Sequence, residues 1–240
     1  MRIPFVANSG QTDSSVAFYA PTFAGTVFVT RDGRIVYSLA GERALASGRR
    51  SPGRTPGWSL TETAVNGRAR PSGGEPASTR VSYFVGNDPA RWRSGLETLE
   101  DVSLGEVWPG IAVKLRAQGR NVEKVFTVAP GAKSSRIRMR VAGARRLGTD
   151  DAGALIASTG PGDVTFTAPV AYQERSGVRR AIEVAYDVRG RTYGFRLGRY
   201  DPTLPVIIDP LLQATYLGGS ATERGFMAIH PTSGEVYVAG

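Results

Sequence analysis

Val81-Ser82-Tyr83-Phe84-Val85-Gly86-Asn87-Asp88-Pro89-Ala90-Arg91-Trp92 is the stretch on which the fold turns. Its first half alternates, with Val81, Tyr83 and Val85 on one side and Ser82 and Phe84 on the other. β-Branched and aromatic residues in that pattern favour a strand. Gly86-Asn87-Asp88-Pro89 then stops it. Glycine permits a positive φ, Asn and Asp side chains bond their own backbone, and proline presets the turn while withdrawing a donor. Trp92 follows at once and is expected to fold back over the turn as a buried anchor that closes a core.

The same alternation of strand and stop recurs on both sides. Val27 and Val29 face Ile35, Tyr37 and Leu39 across Arg31-Asp32-Gly33-Arg34, a hairpin in which Asp-Gly is expected to form a type I′ turn. Ile111, Val113 and Leu115 lead to Gln118-Gly119-Arg120-Asn121, and Val122 to Val128 returns as a second hairpin. Ile137, Met139 and Val141 alternate with Arg136, Arg138 and Arg140, which places three guanidiniums on one wet face of a strand. Turns at near-regular spacing make a meander of Val170 to Leu197, and Pro205 to Pro210 reads as a buried linking strand. No segment shows a sustained helical period. The pattern predicts an all-β fold, an antiparallel sandwich-like domain over residues 1–212, either as one unit or as two subdomains. In the two-subdomain form the Val27–Leu39 hairpin belongs to the first and the Val170–Leu197 meander to the second. Two segments rich in Gly, Pro, Ser and Arg, at about 41–57 and 67–79, are expected to be mobile loops flanking one strand near Trp58 to Val65.

Composition narrows the function. The chain has 240 residues, with 30 glycines and 15 prolines, which suits many short strands joined by turns. Cysteine is absent, so disulfides, thiol nucleophiles and cysteine metal sites are excluded. Thirty Lys and Arg against 21 Asp and Glu give a net charge of +9. The arginines are scattered or sit in low-complexity loops, and the cluster Arg49, Arg50 and Arg54 has no interleaved aromatics for stacking, which argues against nucleic acid. No run is long and apolar enough for a membrane span. The start, Met1-Arg2-Ile3-Pro4-Phe5, reads as a cut into a domain, with an export signal expected upstream.

Catalytic constellations are hard to assemble. The single histidine, His230, lies beside a proline in an expected turn near the chain end. Asp150 and Asp151 are adjacent, so their side chains diverge rather than flank a substrate. Glu97, Glu100, Asp101 and Glu106 crowd one segment, where a solvated strand and turn is the expectation and a weak cation site the minority alternative. No phosphate loop, dinucleotide fingerprint or nucleophile elbow occurs. No catalytic, cofactor-binding or metal residue is assigned.

Several blocks together resemble the N-terminal domain of bacterial secreted proteins that carry SBBP repeats, which are short β-propeller-type repeats. They are the Asn8-Ser9-Gly10-Gln11 turn, Tyr83 to Trp92 with Gly86, Asn87, Asp88 and Pro89, Trp108-Pro109-Gly110-Ile111, Val128-Ala129-Pro130-Gly131-Ala132, and Pro205 to Asp209-Pro210. Thr215-Tyr216-Leu217-Gly218-Gly219-Ser220, with Gly225 to Ile229 and Gly234 to Gly240, looks like one copy of the repeat. Where the family usually has Asp and Asn around the repeat's hairpin, this chain has His230, Pro231 and Glu235. Residues 213–240 are therefore expected to form an incomplete first blade outside the main core, with Gly225–Ile229 and Val236–Val238 paired as a hairpin, inside a longer protein. The resemblance implies a non-catalytic domain at the cell surface or outside the cell. It would support a propeller in attachment or in interaction with surface proteins or glycans, with downstream repeats as partners. The alternatives are an arginine-dependent binder of polyanions or polysaccharides and, third, an enzyme using carboxylates alone.

Overall fold

The computed structural model describes residues 4–22, 25–39, 58–84, 87–89, 92–118, 121–160, 162–210, 212–213, 226–229 and 236–239. Most of the described residues lie in strands and none of their sheets closes into a barrel, an all-β, sandwich-like fold. A 3-10 turn forms at Ser134–Arg136.

The first strands are β1 (Phe5–Ala7), β2 (Val16–Thr22), β3 (Gly25–Thr30), β4 (Ile35–Leu39), β5 (Trp58–Ala64), β6 (Ser72–Gly73), β7 (Pro76–Tyr83) and β8 (Arg93–Leu99). Next come β9 (Asp101–Trp108), β10 (Ile111–Gln118), β11 (Asn121–Val128), β12 (Met139–Ala142), β13 (Arg146–Thr149), β14 (Leu155–Ser158) and β15 (Asp163–Phe166). The last are β16 (Val170–Arg175), β17 (Val178–Ile182), β18 (Val184–Arg189), β19 (Thr192–Leu197), β20 (Val206–Asp209), β21 (Leu212–Gln213), β22 (Phe226–Ile229) and β23 (Val236–Ala239).

The strands make a large sheet ordered β18-β19-β12-β5-β4-β3-β2-β1-β8-β7-β23-β22 and a second ordered β17-β16-β20-β11-β10-β9-β6. A smaller sheet is ordered β13-β14-β15-β21. The main core runs between them. Phe5, Val29, Ile35, Leu60, Ile111, Leu115, Phe126, Ile137, Leu155, Phe166, Tyr193 and Ile208 all belong to it. The alternation that made each segment readable is what fills this core, since every second side chain of a strand points to the same face. β20, expected as a buried linking strand, lies between β11 and β16 with Val206 and Ile208 buried.

Four expectations need correction. The Val170–Leu197 meander does not build a separate subdomain, because β16 and β17 join the second sheet while β18 and β19 join the same sheet as β3 and β4. A shared core leaves each half dependent on the other. Residues 67–79 are a built part of the sandwich: Arg68 N donates to Val107 O and Arg70 N to Leu104 O, both at 2.8 Å, and β6 pairs with β9. Hydrogen bonds to β9 order a segment that has little apolar surface of its own. The Asp32-Gly33 turn is not type I′, which needs a positive φ at both central residues; here only Gly33 has one, at 81°. Thr30 N donates to Arg34 O, so the connection is a wider loop with glycine in the left-handed position. The fourth correction is Trp92. It is 39% exposed, and its ring meets Phe84 edge-to-face at 5.5 Å at the end of the β7–β8 hairpin.

β22 and β23 pair antiparallel, and β23 lies beside β7 in parallel register, with Tyr237 opposite Ser82. The segment expected as a loop at 41–57, with Arg49, Arg50 and Arg54, lies outside the described residues, as do Gly86, Gly218, Gly219 and His230.

Candidate functional site

The motif residues gather in two places. At one, the Asn8 side chain organises the β1–β2 turn: its Nδ2 donates to Asp13 O at 2.7 Å and Val16 O at 2.9 Å, and its Oδ1 accepts from Gly10 N at 3.0 Å. Gly10 takes a φ of 101°, which explains the glycine. Gln11 Nε2 reaches Ala7 O at 2.7 Å and the Tyr19 hydroxyl at 3.2 Å. Tyr19 packs with Val6, Val16 and Val81 in a small second core, and burial raises the pKa of its phenol. Asn87, Asp88 and Pro89 are exposed on the neighbouring β7–β8 connection.

At the second place the two Pro-Gly turns meet. Pro109-Gly110 joins β9 to β10, and Ala129 N donates back to Gly110 O at 2.8 Å. Gly110 has a φ of 74°, and a Cβ there would sit 2.7 Å from the Cβ of Ala132. Gly131 N, in the turn opened by Pro130, donates to Pro202 O at 3.0 Å. These are fixing points for loops, and no acid–base pair lies among them.

The acidic residues of the 97–106 segment do not converge. Glu97 faces Arg80 at 3.8 Å, Asp101 takes Lys114 at 3.2 Å, and Glu106 Oε1 accepts from Gly110 N at 3.1 Å. Asp150 closes its own turn, accepting from Ala154 N at 2.8 Å. Arg138, one of the three guanidiniums expected on a wet strand face, is bound to Asp187 at 2.5 Å, and Asp187 also holds Arg189 at 3.0 Å. A surface depression of about 330 Å³ is lined by Arg68, Arg70, Gly105 and Glu106.

Asp209 lies at the end of β20. Burial first, then the Glu123 carboxylate, raises its pKa to about 7, against a smaller opposing effect of Arg116. Arg116 in turn faces Glu123 at 3.7 Å.

The most concentrated chemistry is one that the sequence reading missed. Glu62 on β5 and Lys124 on β11 form an ion pair inside the core, the first fully buried and the second 3% exposed. The pair therefore spans the large sheet and the second sheet. Tyr37 OH donates to Glu62 Oε2 at 2.8 Å and Tyr193 OH to Glu62 Oε1 at 2.6 Å. Lys124 Nζ donates to Glu62 Oε2 and, at 2.5 Å, to the Tyr193 hydroxyl. The ammonium also lies 5.2 Å from the ring centre of Phe166 and 5.3 Å from that of Tyr193. Desolvation lowers the pKa of Lys124 against the opposing pull of Glu62. Desolvation and the Glu62 charge together raise Tyr37, Tyr186 and Tyr193. Parity was the available signal. Lys124 has the inward parity of Val122, Phe126 and Val128, and Glu62 that of Leu60.

No curated protein and no solved structure matches the chain. A family model does, over residues 5–211, and it spans β1 through β20. The chain accordingly belongs to the family described as a domain of unknown function, DUF7948.

Proposed function

We propose that the sandwich is a non-catalytic platform, exported to the cell surface or beyond it, that carries propeller-type SBBP repeats for attachment or for interaction with proteins or glycans. The observation that supports this reading is the pairing of β7 with β23. β7 is a domain strand whose second edge takes a strand from the repeat-like segment in parallel register, Val81 opposite Val236 and Tyr83 opposite Val238. Strand addition through main-chain hydrogen bonds joins a following module to a sheet without requiring a dedicated pocket. An uncovered β7 edge would instead present unpaired donors and acceptors to other chains.

Hydrogen exchange on the 240-residue chain and on a chain ending at Leu212 tests the platform. The shorter chain should stay folded, keep its core amides protected and lose protection along β7 alone. Unfolding of the shorter chain, or unchanged exchange along β7, would overturn the reading. The depression beside Arg68 and Arg70 supports a second reading, a polyanion binder. Titration with heparin at two salt concentrations separates the two, because charge-driven binding collapses as salt rises. The platform reading expects no salt-sensitive binding that is lost in Arg68→Ala or Arg70→Ala.

A further inference from the structure

We propose that Lys124 and Glu62 condense to an amide, a covalent bond through the core that ties β5 to β11. Lys124 Nζ already donates to Glu62 Oε2, the oxygen bonded to the carboxyl carbon Cδ that the nitrogen would attack. Both side chains are sealed from water. A buried ion pair has given up the hydration of two charges, and its mutual attraction recovers that only partly. Condensation removes both charges at once and releases a water.

The hydroxyls around the pair are placed for the steps. A proton passes from the Lys124 ammonium to Glu62 Oε2, which leaves a neutral amine and a carboxylic acid. Burial favours this neutral form, since it disfavours the charged lysine. The amine lone pair attacks Cδ and the Cδ–Nζ bond forms. Negative charge develops on Oε1, where the Tyr193 hydroxyl already donates at 2.6 Å and acts as the oxyanion donor. A second proton moves from Nζ to Oε2, which hydrogen-bonds to Tyr37 at 2.8 Å. The Cδ–Oε2 bond breaks and water leaves. Of the three ammonium protons, two depart in the water and one stays on the amide nitrogen. The net charge of the pair is zero before and after, and no oxidant or other reactant is needed.

The intact mass of the denatured chain decides the matter. The folded protein should lose the mass of one water, in a fraction that grows with incubation. A tryptic digest should contain a branched species joining residues 55–68 to residues 121–133, with no cleavage after Lys124. Lys124→Met should keep its full mass, and Tyr193→Phe should slow the loss at least tenfold. A wild-type chain of full mass that trypsin cuts after Lys124 overturns the proposal. So does a loss of water that maps to any other residue pair. Wild-type kinetics in Tyr193→Phe would overturn the role given to its hydroxyl.

Discussion

Trp92 and Trp108 differ in what surrounds the indole. Trp108 is 3% exposed, and its Nε1 donates to Val65 O at 2.9 Å, so both the ring and its polar handle are satisfied. Trp92 meets Phe84 at the surface. Trp108→Ala should therefore cost ~3–5 kcal/mol in urea unfolding, as truncation of a buried tryptophan does. Trp92→Ala should stay within about 1 kcal/mol. An equal effect of the two would reverse this assignment. The sequence sets a tryptophan beside each turn but does not say which one meets a prepared cavity, because that depends on β5 and β9, distant from each other in sequence. Asp209 gives a pH dependence. Its folded pKa, about 7, lies above the ordinary carboxylate value, so between the two the folded state binds more protons than the unfolded. Stability should accordingly fall as pH rises from about 4 to about 7 and level off above that. Asp209→Asn should flatten this part of the profile in urea midpoints measured across the range. An unchanged slope would overturn the role given to Asp209.

Among elements, strands were legible wherever alternation was strong. The register Ile111↔Val128 through Gln118↔Asn121 makes the second hairpin as its sequence reads. Legibility failed at 67–79, where Gly, Pro and Arg have no apolar alternation and the order comes from β9. The backbone there has an unusual demand for small residues: a Cβ on Gly74 would sit 1.6 Å from Asp101 Oδ1. Hydrogen exchange should find the amides of Arg68, Arg70 and Gly74 protected, and rapid exchange at all three would restore the loop. Gly143 makes a second such demand. Its φ is 87°, and a Cβ would sit 2.1 Å from Ser59 O, so Gly143→Ala should lower the melting temperature by several degrees. The Glu62–Lys124 pair was hidden for a different reason. Charged residues on a strand read as solvent-facing, and that reading outweighs the parity Glu62 shares with Leu60 until the pairing of β5 with β4 and β12 places it in the core.

For the whole molecule, the shared core predicts one cooperative transition. Tryptophan fluorescence and far-UV circular dichroism should give coincident urea curves. Two separated transitions would bring back the pair of subdomains. The sequence conveyed fold class well, because strand and turn chemistry are local. Which sheet each strand enters was not local, and the division of the Val170–Leu197 meander shows it. The placement of the terminal strands has a mechanical consequence. β1 lies between β2 and β8 in the large sheet, and β20 lies between β11 and β16 in the second. A pull applied to the two ends of the domain enters through one sheet and leaves through the other. The core contacts and the Glu62–Lys124 link then carry the load between them. β1 has only three residues. Under tension this short clasp should open before the core contacts between the sheets do.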